Sequence, residues 1–394
     1  MISFEKAIRI VKENVHVLAG VEQVPLTDSV NRVLAQDVAS DINMPPFRKT
    51  AVDGYACRMC DLESPLKVIE VIAAGTTPKE KIVEGTCSKI MTGAPIPDGA
   101  DCVIPVEDTE VLPDGTVRYM SKPRPKTNIC ELGEDIRIGD VSLNKGVLIK
   151  PQHIAIMAAL GCHSPKVSVR PRVSILPTGD ELVEPSEVPT GSKIRNSNGH
   201  QLIGQVAAAG ALPIYHGIVR DSEETTEKAI AKALDESDVV VLTGGVSMGD
   251  YDYVPKIMER LGVKILFDSI AVQPGKPTTF GVAGEKLIFG LPGNPVSSFI
   301  QFELLVKPAL LMMMGATDPY AKVYRLPLAK DYSRKRAERL GFFPIIFNNN
   351  GEVEPIEYHG SAHIFSLANA SGIASIALGV KEIKKGELVD VRSI

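Results

Sequence analysis

The spacing of apolar residues changes character three times along this chain. Behind Ser3, the residues Phe4, Ala7, Ile8, Val11, Val15 and Leu18 recur at helical intervals, which predicts an amphipathic helix capped by the serine. An extended segment follows to Ala39, then Pro45-Pro46. From 67 to 111 the apolar runs are short and broken by turn formers. Runs 67–72, 88–91 and 102–105 predict strands, punctuated by Gly93, Pro95, Pro97 and Asp98-Gly99. This is the signature of a β-rich lobe, about 48–135, inserted into an N-terminal region of residues 1–165. A further helix is expected over 151–160.

From Arg172 onward strands and helices alternate. Strands are expected at 172–176, 212–218, 239–242 and 286–291. One helix follows Asn196 with Leu202, Ile203 and Val206 inward. Another follows Ser222, with Glu223 and Glu224 favourably placed in its first turn and Ala229, Ile230, Ala233 and Leu234 inward. A third carries Val254, Ile257, Met258 and Leu261. A fourth spans 296–314, with Asn294 as N-cap and Pro295 at the first helical position. Such alternation predicts an α/β domain over 166–316 with a parallel sheet and ligands at the carboxyl ends of its strands. Helical spacing then stops. Runs 323–328, 342–347, 373–378 and 388–391, with Asn350-Gly351 as a hairpin turn, predict a small β domain over 317–394. The fold class expected is α/β plus β, in several domains. There is no internal repeat and no low-complexity segment.

Composition narrows the functional classes. The 394 residues carry a net charge of −5, which argues against nucleic acid as a partner, since nucleic-acid binders usually present a basic domain. Glu5, Lys6, Arg9, Lys12 and Glu13 at the start do not suit a signal peptide. The most apolar run is interrupted by Glu303 and Lys307, so no membrane span is expected and cytoplasmic location is the default. Cys57 and Cys60 form a single CxxC with no second pair and no histidine pair nearby. Packing as small apolar residues is the simpler reading than zinc or redox work.

The stretch 238–252 concentrates the candidate chemistry. A buried strand, Val239 to Leu242, breaks into Thr243-Gly244-Gly245, continues through Ser247 and Gly249, and ends on Asp250 and Asp252 ahead of a helix. A strand, a glycine-rich turn and a helix start present bare N–H groups to an anion, and the aspartates add ligands for a divalent cation. The same stretch also reads as a tight βα turn with Asp252 as an ordinary cap. Polar residues beside glycine recur in other loops: Asp53, Thr92, Asp135, Glu181, Asp221 and Lys276. Singly each is a turn or cap former. Together, one lysine among carboxylates suits a phosphate held by charge and metal. There is no GxSxG motif, and Gly360 and Ser361 between His359 and His363 argue against a helical metal pair.

The motifs TAVDGYA, IMTGAPIPDGADCVIPVEDT, NICELGEDI, PTGDEL, TGGVSMGDYDY, PGKPTTFG and GLPGNPVSS, in this order, resemble the molybdopterin molybdenumtransferases, the MoeA type also found as the E domain of gephyrin. The resemblance spans nearly the whole chain. It implies an elongated homodimer whose subunits have an N-terminal region with an inserted β lobe, a three-layer α/β molybdopterin-binding domain and a C-terminal β-barrel. It implies insertion of molybdate, or tungstate, into adenylylated molybdopterin with release of AMP and with Mg²⁺. The cleft would lie between one subunit's α/β domain and the other's N-terminal lobe. By motif, Asp53, Thr92, Asp135, Glu181, Asp221, Asp252, Lys276, Pro292 and Pro295 match site residues, with Asp221 and Asp252 as metal carboxylates. Gly244, Gly245, Ser247, Gly249, Gly293 and Asn294 would cradle phosphate and pterin, and Arg339 and Ser361 would help hold the oxyanion. Two basic positions of the family read Gln273 and Cys130 here; Arg137, Lys193 and Arg195 are the nearby cations. Two other functions remain open on this fold, a molybdopterin adenylyltransferase and a non-catalytic scaffold or carrier. The adenylyltransferase is also a possible partner protein.

Overall fold

The computed structural model describes residues 1–120, 126–245, 254–357 and 360–394. They form two compact units, one made of Asp37–Asn144 with Ala155–His163, the other of Met1–Gln36, Lys145–Ile154 and Ser164–Ile394.

The expected β-rich lobe is the core of the smaller unit. Its strands are β1 (Gly54–Cys57), β2 (Leu66–Ile72), β3 (Thr86–Ile90), β4 (Cys102–Pro105), β5 (Thr109–Val111) and β6 (Thr116–Tyr119), in the order β4-β1-β3-β2-β6-β5. Strand alternation sends Tyr55 and Cys57 to one apolar cluster and Ala56 to another, so both faces of β1 are buried. Cys57 stands level with Cys87 and Cys102 on the neighbouring strands, with Cys57 Sγ 3.5 Å from Cys102 Sγ, whereas Cys60 is exposed. The CxxC therefore does not converge on one ligand. Burial pushes the Cys87 thiol up to about 12, which keeps it a protonated packing group.

The larger unit begins with α1 (Phe4–Asn14), whose Ser3 Oγ accepts the Lys6 N–H at 3.2 Å. The helix is shorter than its apolar stripe. Val15 is extended, and Val15 and Leu18 reach the core from the segment beyond it. α2 spans Pro151–Ala159. The central sheet consists of β7 (Arg172–Pro177), β8 (Leu212–Tyr215), β9 (Val239–Thr243), β10 (Lys264–Phe267), β12 (Thr279–Ala283) and β13 (Lys286–Leu291), while β11 (Val272–Gln273) leaves it. The order is β8-β7-β9-β13-β12-β10. The first four strands are parallel, as expected, but β12 runs antiparallel to both of its neighbours, β13 and β10, so the sheet is mixed. The cause is local: Gly284, at φ +61°, and Glu285 turn β12 straight back into β13 as a two-residue hairpin. β8 also stops at Tyr215 rather than running to 218, and Gly217 turns at φ +75°.

Helices α3 (Ser197–Ala208), α4 (Glu223–Glu236), α5 (Val254–Arg260) and α6 (Pro295–Met313) cover the two faces. Val239 and Val241 join α1, α3 and α6 in one cluster; Val240 and Leu242 join α4 and α5 in the other. That division is a three-layer arrangement, and each such side chain contributes about 1.5–3 kcal/mol by burial. α6 is long and apolar enough to cross a membrane, but 78 % of its most apolar window is buried inside the protein, as for a core helix. A π turn, Phe302–Val306, interrupts it, and there Glu303 accepts from Gln205 Nε2 at 2.8 Å and Lys307 Nζ at 2.7 Å.

Beyond α6, β14 (Tyr324–Pro327), β15 (Leu340–Phe347), β16 (Val353–Pro355), β17 (Gly372–Ile376) and β18 (Leu388–Ser393) form a second sheet in the order β11-β15-β17-β18-β14, with β16 on β15. Gly351 turns the β15–β16 hairpin as expected. A single bridge from Leu328 to Val353 brings the end of β14 to β16, so the sheet curls back on itself around Phe343, Ile345, Ala374 and Val391. β11 pairs with the start of β15 and ties this sheet to the α/β region.

Candidate functional site

The parallel strands β7, β9 and β13 end side by side, and a cavity of about 500 Å³ opens at that edge. Its wall takes Pro177, Thr178 and Glu181 after β7, Thr243 and Gly244 from β9, and Gly293, Asn294 and Pro295 after β13. Arg195 to Asn198 add the start of α3, and Ala362, Ile364 and Phe365 come from the C-terminal segment. The glycines are dictated by geometry. Gly244 and Gly245 have φ of +91° and +61°, and a Cβ on Gly244 would sit 2.5 Å from the Thr178 carbonyl oxygen.

Side-chain bonds set both helix starts at the cavity. Asn196 Oδ1 accepts the Gly199 N–H at 2.9 Å and caps α3, while its Nδ2 donates to the Tyr215 hydroxyl at 2.8 Å. Tyr215 donates onward to Glu184 at 2.5 Å, and His200 Nε2 lies 3.1 Å from the same carboxylate. The Tyr215 hydroxyl, with a smaller contribution from His200 and against the effect of burial, holds the Glu184 carboxyl below its ordinary range. At α6, Asn294 occupies the cap position, but its side chain does not cap. Its Nδ2 donates to Ser361 Oγ at 2.9 Å, and the Val296 N–H donates to the Ser361 carbonyl at 3.0 Å. Two residues expected at the site, Asn294 and Ser361, are thus joined directly.

Asp221 lies at the same sheet edge, paired with Asp180. The Asp180 N–H donates to Asp221 Oδ2 at 3.1 Å, and the Asp221 N–H donates to Asp180 Oδ1 at 3.2 Å. Arg220 and Lys193 both donate to the Asp180 carbonyl oxygen, which holds this turn against its neighbour.

The remaining expected residues fall elsewhere or outside the description. Lys276 is exposed, and its carbonyl accepts from Ile270 and Thr278. Arg339 donates to the Val272 carbonyl at 3.0 Å, so part of its guanidinium holds β11. In the smaller unit Asp53 accepts both the Thr92 hydroxyl, at 2.7 Å, and the Thr92 N–H, at 2.6 Å. The Thr92 hydroxyl is the larger cause, and together they lower the Asp53 carboxyl from its ordinary value. Asp135 is exposed, with its N–H bonded to Met44. Ser247, Gly249, Asp252 and His359 lie outside the described residues. Among the described residues no three His, Cys, Asp or Glu side chains cluster as a metal site. The sequence reading missed Thr178, Asn198 and Phe365 on the cavity wall and did not place Arg195 there. Asn198 looked like part of a helix start, and Phe365 has no local motif.

Three family models match the chain: the MoeA N-terminal region (domain I and II) over residues 2–161, a probable molybdopterin binding domain over 174–312, and the MoeA C-terminal region (domain IV) over 325–394. A molybdopterin molybdenumtransferase of Bacillus subtilis is 35 % identical over 382 residues, covering 94 % of this chain and 89 % of its own. One of Staphylococcus epidermidis is 34 % identical over 400 residues, covering 99 % and 95 %. The crystal structure of a molybdopterin biosynthesis moeA protein from Pyrococcus horikoshii OT3 matches at a TM-score of 0.84 and 33 % identity, with full coverage of both chains.

Proposed function

This chain belongs to the MoeA family, and on that premise we propose that it inserts molybdate, or tungstate, into adenylylated molybdopterin with release of AMP, as a transferase of molybdenum cofactor biosynthesis. The observation that carries the proposal is the cavity at the ends of β7, β9 and β13, built from glycine turns and two helix starts with Arg195 on its wall. Backbone N–H groups there suit phosphate, and the volume suits a heterocycle of drug size.

The proposed roles rest on the family motifs together with the lining of this cavity. The turn at Gly244 and Gly245 and the start of α6 bind phosphate oxygens. Glu181 faces the same cavity and contacts the pterin or the groups that bind it. Ser361, fastened to Asn294, presents a hydroxyl beside α6, and Lys276 and Arg339, which lie off the cavity wall, would by family motif supply positive charge toward the oxyanion. Asp180 and Asp221 are held together by reciprocal bonds from each backbone N–H to the other's carboxylate, and Mg²⁺ takes one or two carboxylates and completes its shell with phosphate oxygens and water. Asp221, with Asp252, would hold it. When bound, it neutralises charge on the phosphoanhydride. Asp53, Thr92 and Asp135 serve the cleft of the other subunit in a homodimer. The three-part division at about 165 and 316, a cytoplasmic location and a possible encounter with a molybdopterin adenylyltransferase complete this reading.

The test supplies purified protein with adenylylated molybdopterin, molybdate and Mg²⁺ and follows AMP. Release that needs both the oxyanion and the metal is expected. Formation of adenylylated pterin from ATP and molybdopterin would identify an adenylyltransferase instead. Tight pterin binding without AMP release would identify a carrier or scaffold.

A further inference from the structure

Among the described residues, the charged side chains on the wall of the cavity at the ends of β7, β9 and β13 are Glu181 and Arg195. They sit on adjacent segments: Leu182-Val183 pairs in parallel with Ile194-Arg195, and the Ile194 N–H donates to the Glu181 carbonyl at 2.8 Å. No ion pair joins the two among the described residues. Arg195 is exposed, yet it is held. The next residue, Asn196, donates its N–H to the Val183 carbonyl at 2.8 Å and caps α3. Arg195 Nε donates to the Glu187 carbonyl at 3.0 Å. The turn that carries this carbonyl is itself closed, since the Glu187 N–H donates to the Glu184 carbonyl at 3.0 Å and the Glu184 carboxylate accepts from Tyr215. With Nε engaged, Nη1 and Nη2 have no acceptor among the described residues. A guanidinium fixed through Nε presents its far end, two parallel N–H groups, and these match two oxygens of one tetrahedral anion. Other cations at this sheet edge are engaged: Arg220 and Lys193 donate to the Asp180 carbonyl, and Lys276 and Arg339 do not line the cavity. Size separates the candidate anions. The cavity holds about 500 Å³, and Leu182, Ile194 and Ile364 share its wall with Arg195. A lone oxyanion would leave those apolar groups in water, whereas the ring of a phosphate ester covers them while its phosphate meets the arginine.

We propose that Arg195 is the residue by which this cavity selects a phosphate ester, with Nη1 and Nη2 holding two oxygens of the phosphate that the heterocyclic ligand carries. This rests on the function proposed above, whose ligand carries its phosphates between a pterin and an adenosine. Arg195 gives the cavity a cation that Gln273 and Cys130 do not supply. Its grip depends on the fork as well as the charge, because Nε fixes the plane in which the other two nitrogens point.

The test compares ligands that differ only in the phosphate: AMP against adenosine by calorimetry, and 6-hydroxymethylpterin phosphate against 6-hydroxymethylpterin by fluorescence titration. Wild-type protein is expected to bind the phosphorylated member of at least one pair about tenfold more tightly. The pair that discriminates identifies which end of the ligand lies against Arg195. Arg195→Gln, checked for folding by circular dichroism, should abolish that preference while leaving the unphosphorylated member unchanged. Arg195→Lys keeps the charge without the fork and should retain only part of the preference. Equal binding of both members in both pairs by wild-type protein overturns the proposal. So does a preference that survives Arg195→Gln or stands undiminished in Arg195→Lys. Arg195→Gln that weakens apparent molybdate affinity but leaves the phosphate preference intact assigns the arginine to the oxyanion and overturns it as well. These outcomes are independent of AMP release. A carrier without release can still show the preference, and release by wild-type protein without the preference leaves the function standing and removes this inference.

Discussion

Gly244 stands so close to Thr178 that no side chain fits between them, and its φ of +91° is one that glycine adopts freely. Gly244→Ala is expected to cost about 1–3 kcal/mol, since the strained backbone and the 2.5 Å contact act together. Chemical denaturation should show a lowered midpoint, and an unchanged midpoint would contradict this account of the turn. Gln273 is half-buried on β11, three residues before Lys276, where the family resemblance has a lysine. A unit charge about 5 Å from an anion gains about 3 kcal/mol at an effective dielectric near 20, before desolvation. After desolvation and screening a net gain of about 1 kcal/mol is left, so Gln273→Lys should tighten apparent molybdate affinity about fivefold at fixed adenylylated pterin. An unchanged or weaker affinity would remove position 273 from the oxyanion site. Residues announced by local turns were legible in the sequence: Glu181, Gly244, Gly293, Asn294 and Pro295 line one cavity, and Ser361 is bonded to Asn294. Thr178 and Asn198 were not. Their meaning comes from partners on other strands, such as Gly293 for Asn198, 95 residues away.

At the scale of elements, α4 was read from its cap, and Ser222 accepts the Thr225 N–H; α3 was read from its apolar spacing after Asn196, which in the structure caps it. β9, a run of apolar residues, lies at the sheet centre with every residue buried, as a strand covered on both faces must be. The antiparallel pair β10 and β12 escaped notice because alternation of strands and helices was extended past the point where Gly284-Glu285 make a hairpin. The π turn in α6 was also hidden, because nothing in Phe302–Val306 marks it locally. Its polar anchor is testable. Glu303 has only 12 % of its side chain exposed and accepts from Gln205 and Lys307. Glu303→Ala removes two hydrogen bonds to a charged group and should destabilise the protein by about 1.5–3 kcal/mol, measured by urea denaturation. A loss below about 0.5 kcal/mol, the range of ordinary surface substitutions, would show that the turn is held by packing alone.

For the whole molecule, His216 links stability to pH. Its side chain is 8 % exposed and its Nε2 lies 2.9 Å from Ser174 Oγ, and burial pushes the imidazole below its ordinary value more than Glu236 raises it. The folded protein thus holds this histidine neutral, while the unfolded chain takes up a proton near pH 6.5. Its stabilising contribution is complete above that pH and is lost as pH falls through it toward the lower folded value. The urea midpoint should therefore drop between pH 7.5 and 5.5, and His216→Asn should flatten that part of the profile; an unflattened profile would place the dependence elsewhere. Light scattering should find a dimer, and a fully active monomer at micromolar concentration would contradict the use of Asp53, Thr92 and Asp135 by the partner's cleft. The general division into lobe, α/β layers and terminal β sheet was legible because each has its own apolar period. The curl of the last sheet was not read from the apolar spacing and was expected only through the resemblance's C-terminal β-barrel, since it depends on the bridge between Leu328 and Val353. Metal-dependent transfer at the edge of β7, β9 and β13 is tested most directly by AMP release from Asp221→Asn. At saturating adenylylated molybdopterin, molybdate and Mg²⁺, the variant should fold like wild type and release AMP at least tenfold more slowly; wild-type release by the folded variant would contradict the account.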